Sequence, residues 1–187
     1  MLAIERYTTN MEAEWTINVH EDGELVETIE KTNRLMTSYV SASRYGRFPE
    51  ILAQCLVGTS SYVSKTSKDS NGIVANTYTI DNFAYGDSRI SYDAGTLTDL
   101  KGTHVHKDLA YKGIGASYSI AKFKGFIGTT ENTITPIAEM GLFTRADRTT
   151  ATDGTNRLMV NRVVFPGVAK DANKTLEFEC RIRINFG

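Results

Sequence analysis

At 187 residues and 20.7 kDa the chain has the size of one ordinary domain, above the mode of about 100–150 residues and below the length at which single cores divide. Hydrophobic residues make up 41% and charged residues 23%, which excludes wholesale disorder. Lys plus Arg number 21 against 22 Asp plus Glu, so the formal charge of −1 lacks the basic excess of a dedicated nucleic-acid binder or of a protein held on an anionic membrane.

The opening residues, MLAIERYTTNMEAEW, show no basic stretch followed by an apolar one, and no apolar run approaches the roughly 18 residues that span a bilayer. Neither a secretion signal nor a membrane partner is expected, and the expected site of synthesis is a cytoplasm. Residues 1–14 read as an N-terminal arm that orders on binding, and 15–187 as a single domain. Trp15, Ile17 and Val19 alternate with polar residues, Glu21-Asp22-Gly23-Glu24 supplies a turn, and the pattern resumes over 25–29. Asp-Gly between two alternating runs predicts a β-hairpin. Asn33 is placed to cap a short helix carrying Leu35, Met36, Tyr39 and Val40, ended by Gly46 and Pro49. Residues 51–57 form a mostly apolar run, as expected of a strand covered on both sides.

Beyond Gly58 the chain reads as strands and loops. Residues 59–76 and 144–156 are long polar loops. Short strands are predicted at 77–80, 89–92 and 103–107, and longer apolar ones at 118–127, 134–143 and 158–165. Residues 174–186 carry the plainest signal: Leu176, Phe178, Cys180, Ile182, Ile184 and Phe186 alternate with Thr175, Glu177, Glu179, Arg181, Arg183 and Asn185. A period of two over that length is a strand with one buried and one wet face. Many strands without interleaved long helices predict an all-β fold, an antiparallel β-sandwich of jelly-roll-like or Greek-key type with one short N-terminal helix.

Few residues converge on chemistry. Cys55 and Cys180 have no zinc spacing and read as buried reduced thiols. His104, His106 and Asp108 would share one strand face, as a metal site requires, yet the ligand set is incomplete and a polar surface strand accounts for them. His20, beside Glu21 and Asp22, reads as a solvated turn residue. Asp147, Asp153, Gly154 and Asn156 offer oxygen ligands without calcium-loop spacing, and turn chemistry explains them. Gly113-Ile114-Gly115-Ala116-Ser117 lacks the rest of a phosphate-binding motif. Glu177 and Glu179 alternate with Arg181 and Arg183, which suits cross-strand charge pairing better than a glycosidase pair. No catalytic, cofactor or metal residue is expected, and an enzyme is not the reading these residues support.

An ordered series of short segments carries more information: Thr32-Asn33-Arg34-Leu35-Met36, Cys55-Leu56-Val57-Gly58-Thr59-Ser60, Ala138-Glu139-Met140-Gly141-Leu142-Phe143 after Ile134, Asn161-Arg162-Val163-Val164-Phe165, Lys170, and Leu176-Glu177-Phe178. Taken in order, from about Asn33 to Phe186, the chain resembles structural proteins of tailed-bacteriophage virions, with Ser60 where that group often has Gly. The resemblance implies a tail, collar, baseplate or fibre-attachment component of the virion, assembled in the host cytoplasm, that packs as a homo-oligomer against other virion proteins. It implies no catalytic residues. The alternatives are a capsid decoration protein, or a carbohydrate- or receptor-binding module of a tail fibre presenting Tyr62, Tyr85, Tyr92 and Tyr111.

Structural roles are expected for six of the matched residues. Gly58 and Gly141 stand at the ends of apolar strands, where a positive φ or close packing leaves no room for a side chain. Leu142 and Phe143 enter the core beside the last strand. Glu139, a carboxylate between apolar neighbours, needs a partner if buried, and Arg162 on the neighbouring strand is the candidate.

Overall fold

The computed structural model describes residues 11–34, 65–68, 74–90, 99–114, 120–131, 133–146 and 158–184. β1 (Met11–Glu21) and β2 (Glu24–Arg34) form the expected hairpin. Asp22 and Gly23 take φ of 51° and 87°, the two consecutive positive values of a type I′ turn, whose twist matches that of the strands it joins. β1 starts earlier than its apolar alternation suggests. Met11 already pairs with Ile184, so residues 11–14, expected in an arm, belong to the sheet. Asn33 is likewise no helix cap. It sits in β2 opposite Ala13, because the ladder with β1 satisfies its backbone that a cap would otherwise serve. The helix expected over 35–49, the strand over 51–57 and Gly58 lie outside the described residues.

β3 (Lys65–Lys68) and the start of β4 (Val74–Gly86) occupy the stretch expected as a loop over 59–76. β5 (His104–Asp108), β6 (Tyr111–Ile114), β7 (Ile120–Ile127), β8 (Ile137–Ala146), β9 (Leu158–Val168) and β10 (Lys174–Ile184) follow. Of the strand expected over 89–92, Arg89 and Ile90 are not in a strand, and 91–92 lie outside the described residues. The Ile90 N–H is taken by Ser88 Oγ at 3.2 Å, a local bond that competes with ladder pairing. β8 opens just after the cis Thr135–Pro136 bond and runs past Phe143 into the expected 144–156 loop.

The described residues are all β, with no helix among them, and form two antiparallel sheets stacked as a sandwich. Sheet A has the order β2-β1-β10-β7-β6. Sheet B has the order β3-β4-β8-β9, with β5 added to β4 end-on to β3. The core lies between them. Trp15 and Phe83, one from each sheet, both pack against Phe178, the first tilted and the second edge-on, at centroid separations of 5.1 and 4.9 Å. The Trp15 indole N–H crosses the core to Asn161 Oδ1 at 2.7 Å, which keeps this buried donor satisfied. Each such fully buried large side chain stabilises the fold by about 1.5–3 kcal/mol.

Sheet A behaves as the alternation predicts. Leu176, Phe178, Cys180 and Ile182 are buried, while their neighbours Glu177, Arg181 and Arg183 are exposed. Sheet B differs. Every residue from Ile137 to Phe143 and from Met159 to Val163 is buried, so both faces of β8 and β9 are covered.

Candidate functional site

The outer face of sheet B, away from sheet A, carries the polar residues. Phe83, Leu142 and Asn161 are cross-strand neighbours pointing into the core, so the adjoining row of Ala84, Gly141 and Arg162 points outward. A register shift between Ile80 and Asn82 sets this phase, since Asp81 is an extra residue that turns Asn82, Ala84 and Gly86 to the outer side.

Glu139 and Arg162 meet on this face. They are 0% and 2% exposed, and Arg162 Nε donates to Glu139 Oε2 at 2.7 Å. Nη2 lies equally close to the same oxygen, but its hydrogens are out of line, so it contributes charge without a hydrogen bond. The carboxylate accepts two more bonds, from the N–H groups of Gly102 (2.8 Å to Oε1) and Lys101 (3.2 Å to Oε2). Glu139 therefore has two jobs: it neutralises a buried guanidinium, and it fastens the segment 99–103 across the sheet. Leu100, buried in that segment, rests on Gly141, where an added Cβ would lie 3.1 Å from Leu100 Cδ2, Asn161 O and Phe143 Cε2. Gly141 is thus in mid-strand rather than at a strand end, and close packing alone explains it. Leu142 and Phe143 are buried as expected; their in-sheet neighbours are β4 and β9, and the last strand lies in the other sheet. Arg162 also reaches back towards sheet A, its carbonyl accepting from Asn33 Nδ2 at 2.5 Å.

The same segment brings Asp99 to the two histidines of β5. His104 and His106 stand on one face, as their spacing predicts, directly opposite Gly86 and Ala84. Those small partners leave room for the imidazoles. A Cβ on Gly86 would meet Glu139 Oε1 at 2.9 Å, Thr103 O at 3.0 Å and His104 Cβ at 3.1 Å. Asp99 Oδ1 lies 3.3 Å from His104 Nε2 and 3.2 Å from His106 Nε2. The other ring nitrogens are held from behind: His104 Nδ1 donates to Gly102 O at 2.8 Å and His106 Nδ1 to Asn82 Oδ1 at 3.0 Å. Partial burial pushes the Asp99 carboxyl up, but the His106 hydrogen bond, the Leu100 N–H and the charge of both imidazoles outweigh it and hold the group below the ordinary value. Asp108, expected beside these histidines, is exposed further along β5, and Asp99 takes its place. Asp99 and Asn82 escape sequence reasoning because a loop and a register shift bring them in.

Elsewhere the expected residues are dispersed. Cys180 is a free, fully buried thiol whose pKa is pushed well up by burial, then by Glu14 and Glu179. On the wet face of sheet A, Glu179 pairs with Lys124 of β7 at 2.9 Å and Arg183 with Glu14 of β1 at 3.1 Å, the cross-strand pairing expected, while Arg181 pairs with Glu179 along β10 itself. Lys170 is buried, its Nζ donating to Asp171 O at 2.6 Å, and burial lowers its pKa against the pull of Asp171 and Glu131. Tyr85 is 1% exposed and so cannot be presented to a glycan. Tyr111 is exposed on β6, while Tyr62, Tyr92, Cys55 and the candidate calcium residues lie outside the described residues. Set against known protein families, curated proteins and solved structures, the chain matches none.

Proposed function

We propose that the chain is a structural protein of a tailed-bacteriophage virion, a tail-, collar- or baseplate-associated component that packs in a symmetric oligomer. The ordered series of short segments gives the class, and one observation carries the assembly reading. β2 is an edge strand whose residues 24–28 are exposed on both faces, with Leu25 57% and Val26 53% accessible. Among the described residues it has a ladder partner on one side only. An open edge carrying apolar side chains is a template for a neighbouring strand, and proteins that do not use such an edge normally shield it. The locked polar layer of sheet B supports the same reading, since a rigid wedge transmits contacts that closed symmetry repeats. The consecutive strands β1–β2, β3–β4, β4–β5, β6–β7 and β8–β9 pair, and β10 inserts between β1 and β7, an arrangement that favours Greek-key closure of the sandwich over a jelly roll.

Size exclusion with light scattering tests this reading. The expected result is a discrete oligomer that the Leu25→Glu/Val26→Glu variant reduces to monomers of unchanged circular dichroism. A strictly monomeric parent chain with no affinity for other virion proteins would overturn it.

A second reading, a glycan-binding fibre module, is favoured by a groove of about 440 Å³ on the wet face of sheet A. Tyr111 and Phe126, 49% and 41% exposed, line it together with Lys124, Glu179 and Arg181. Exposed rings beside carboxylate and guanidinium groups suit a sugar face and its hydroxyls. Glycan-array binding that is lost in Tyr111→Ala would favour this reading over the first.

A further inference from the structure

We infer that Asp99, His104 and His106 form a zinc-binding site that clamps the segment 99–103 onto β5. Three geometric facts carry the inference, independently of the proposed function.

The tautomers come first. Gly102 O can only accept, so the proton of a neutral His104 lies on Nδ1, and Asn82 Oδ1 fixes His106 in the same way. With Nδ1–H so held, Nε2 of each ring is the atom that faces Asp99 and, where it hydrogen-bonds the carboxylate, the atom whose proton a bound cation would replace. A carbonyl or carboxamide oxygen behind the far nitrogen is the usual support of a metal-ligating histidine.

Spacing comes second. A charge-assisted N–H···O bond between an imidazolium and a carboxylate spans about 2.7–2.9 Å. Here Oδ1 stands 3.2 and 3.3 Å from the two nitrogens, and Oδ2 stands 3.4 Å from His106 Nε2, so the hydrogen bonds they make are longer than that span. With metal–ligand bonds near 2.0–2.1 Å, tetrahedral co-ligands lie about 3.3–3.4 Å apart, whereas adjacent octahedral ones lie about 3.0 Å apart. The two Asp99–histidine separations lie close to the tetrahedral edge, and two imidazoles with one carboxylate suit zinc better than magnesium, which prefers oxygen ligands.

The surroundings come third. The three ligand atoms all lie within 4.8 Å of one another. The His106 ring is braced edge-on against Phe143 at 4.7 Å, and the two imidazoles pack edge to face at 5.3 Å. Asp99 remains 41% exposed, so a fourth position opens to solvent, where water or a donor from a neighbouring molecule completes the shell. The acidic ligand offsets part of the cation's charge, and Leu100 N–H holds the carboxylate in place at 2.9 Å.

The test uses the full chain, stripped with chelator and titrated with Zn²⁺ by calorimetry and with Co²⁺ by visible absorption. One-to-one binding and the ligand-field bands of tetrahedral Co²⁺ are expected. His104→Ala/His106→Ala should abolish both signals, and Asn82→Ala, which removes only the support behind His106, should weaken binding by about 10–100-fold. Asp99→Asn, at a half-exposed position, serves as the ligand variant whose fold is safe. No Zn²⁺ heat and no Co²⁺ bands with a folded parent chain would overturn the inference, as would unchanged affinity in folded Asp99→Asn together with Asn82→Ala.

Discussion

Removing the Glu139 side chain leaves Arg162 charged, buried and without its counter-ion. A buried pair broken on one side typically costs about 3–5 kcal/mol, so Glu139→Ala should lower the urea midpoint by a corresponding amount. A double replacement, Glu139→Leu/Arg162→Met, removes both charges and should recover part of that loss. Recovery stays incomplete because the N–H groups of Lys101 and Gly102 lose their acceptor, a deficit of about 1–3 kcal/mol for each group left dry. A Glu139→Ala chain as stable as the parent would show that the pair contributes nothing. The pair is legible in the sequence because a carboxylate flanked by Ala138 and Met140 demands a partner, and Arg162 lies on the next strand. Asp99 is not legible in the same way. It stands five positions before His104 in a segment with no periodicity, and only the grip of Glu139 on Lys101 and Gly102 carries it there.

At the scale of elements, the pairing of β7 with β10 depends on one missing side chain. Gly125 faces Phe178, and a Cβ there would fall 2.2 Å from Phe178 Cε1 and 2.9 Å from Phe83 Cε1. Trp15 and Phe83 both pack against the Phe178 ring, so it has little room to turn away. Gly125→Ala should therefore destabilise by about 1–3 kcal/mol, read as a fall in melting temperature, whereas Gly128→Ala, whose nearest contact would be an ordinary 3.4 Å, should change stability by less than about 0.5 kcal/mol. Equal melting temperatures for the two variants would contradict this packing. β10 and the β1–β2 hairpin are legible because each has one wet face, and the alternation is written directly into residues such as Phe178, Glu179 and Cys180. β4 is longer than its apolar core suggests, since Asn82 and Gly86 look like turn residues. They are tolerated in mid-sheet because one supports His106 and the other makes room for His104.

Across the whole molecule, ion pairs on two faces tie strand to strand and sheet to sheet. Lys107 of β5 reaches Glu131 beyond the end of β7, and Glu131 also accepts from Gly128 N–H at 2.6 Å. For Glu131, burial raises the pKa, but Lys107, Gly128 and the charge of Lys170 outweigh it, and the group ends below the ordinary glutamate value. Glu179 is lowered in the same sense, burial being outweighed by Lys124 and Arg181. Carboxyls depressed in the folded state stabilise it above the unfolded value of about 4.3 and lose that contribution as pH falls through their folded values. The urea midpoint should thus be flat above about pH 5 and fall below about pH 4, and Glu131→Gln/Glu179→Gln should flatten the acid limb. An acid limb unchanged in that variant would assign the pH dependence to other groups. The two-sheet architecture is legible in the sequence, because strands without long helices have few other ways to bury one face. Which strands share a sheet is not, since the β4–β8 and β1–β10 pairs join segments far apart in the chain.

That last pair has a consequence for how the protein is made. Of the ten strands among the described residues, β10 emerges last from the ribosome, yet it occupies the middle of sheet A. Until it arrives, no strand pairing among the described residues joins the hairpins β1–β2 and β6–β7, and Trp15 lacks one of the rings it packs against. A nascent chain interrupted before residue 174 therefore exposes two unzipped ribbons instead of a finished wall.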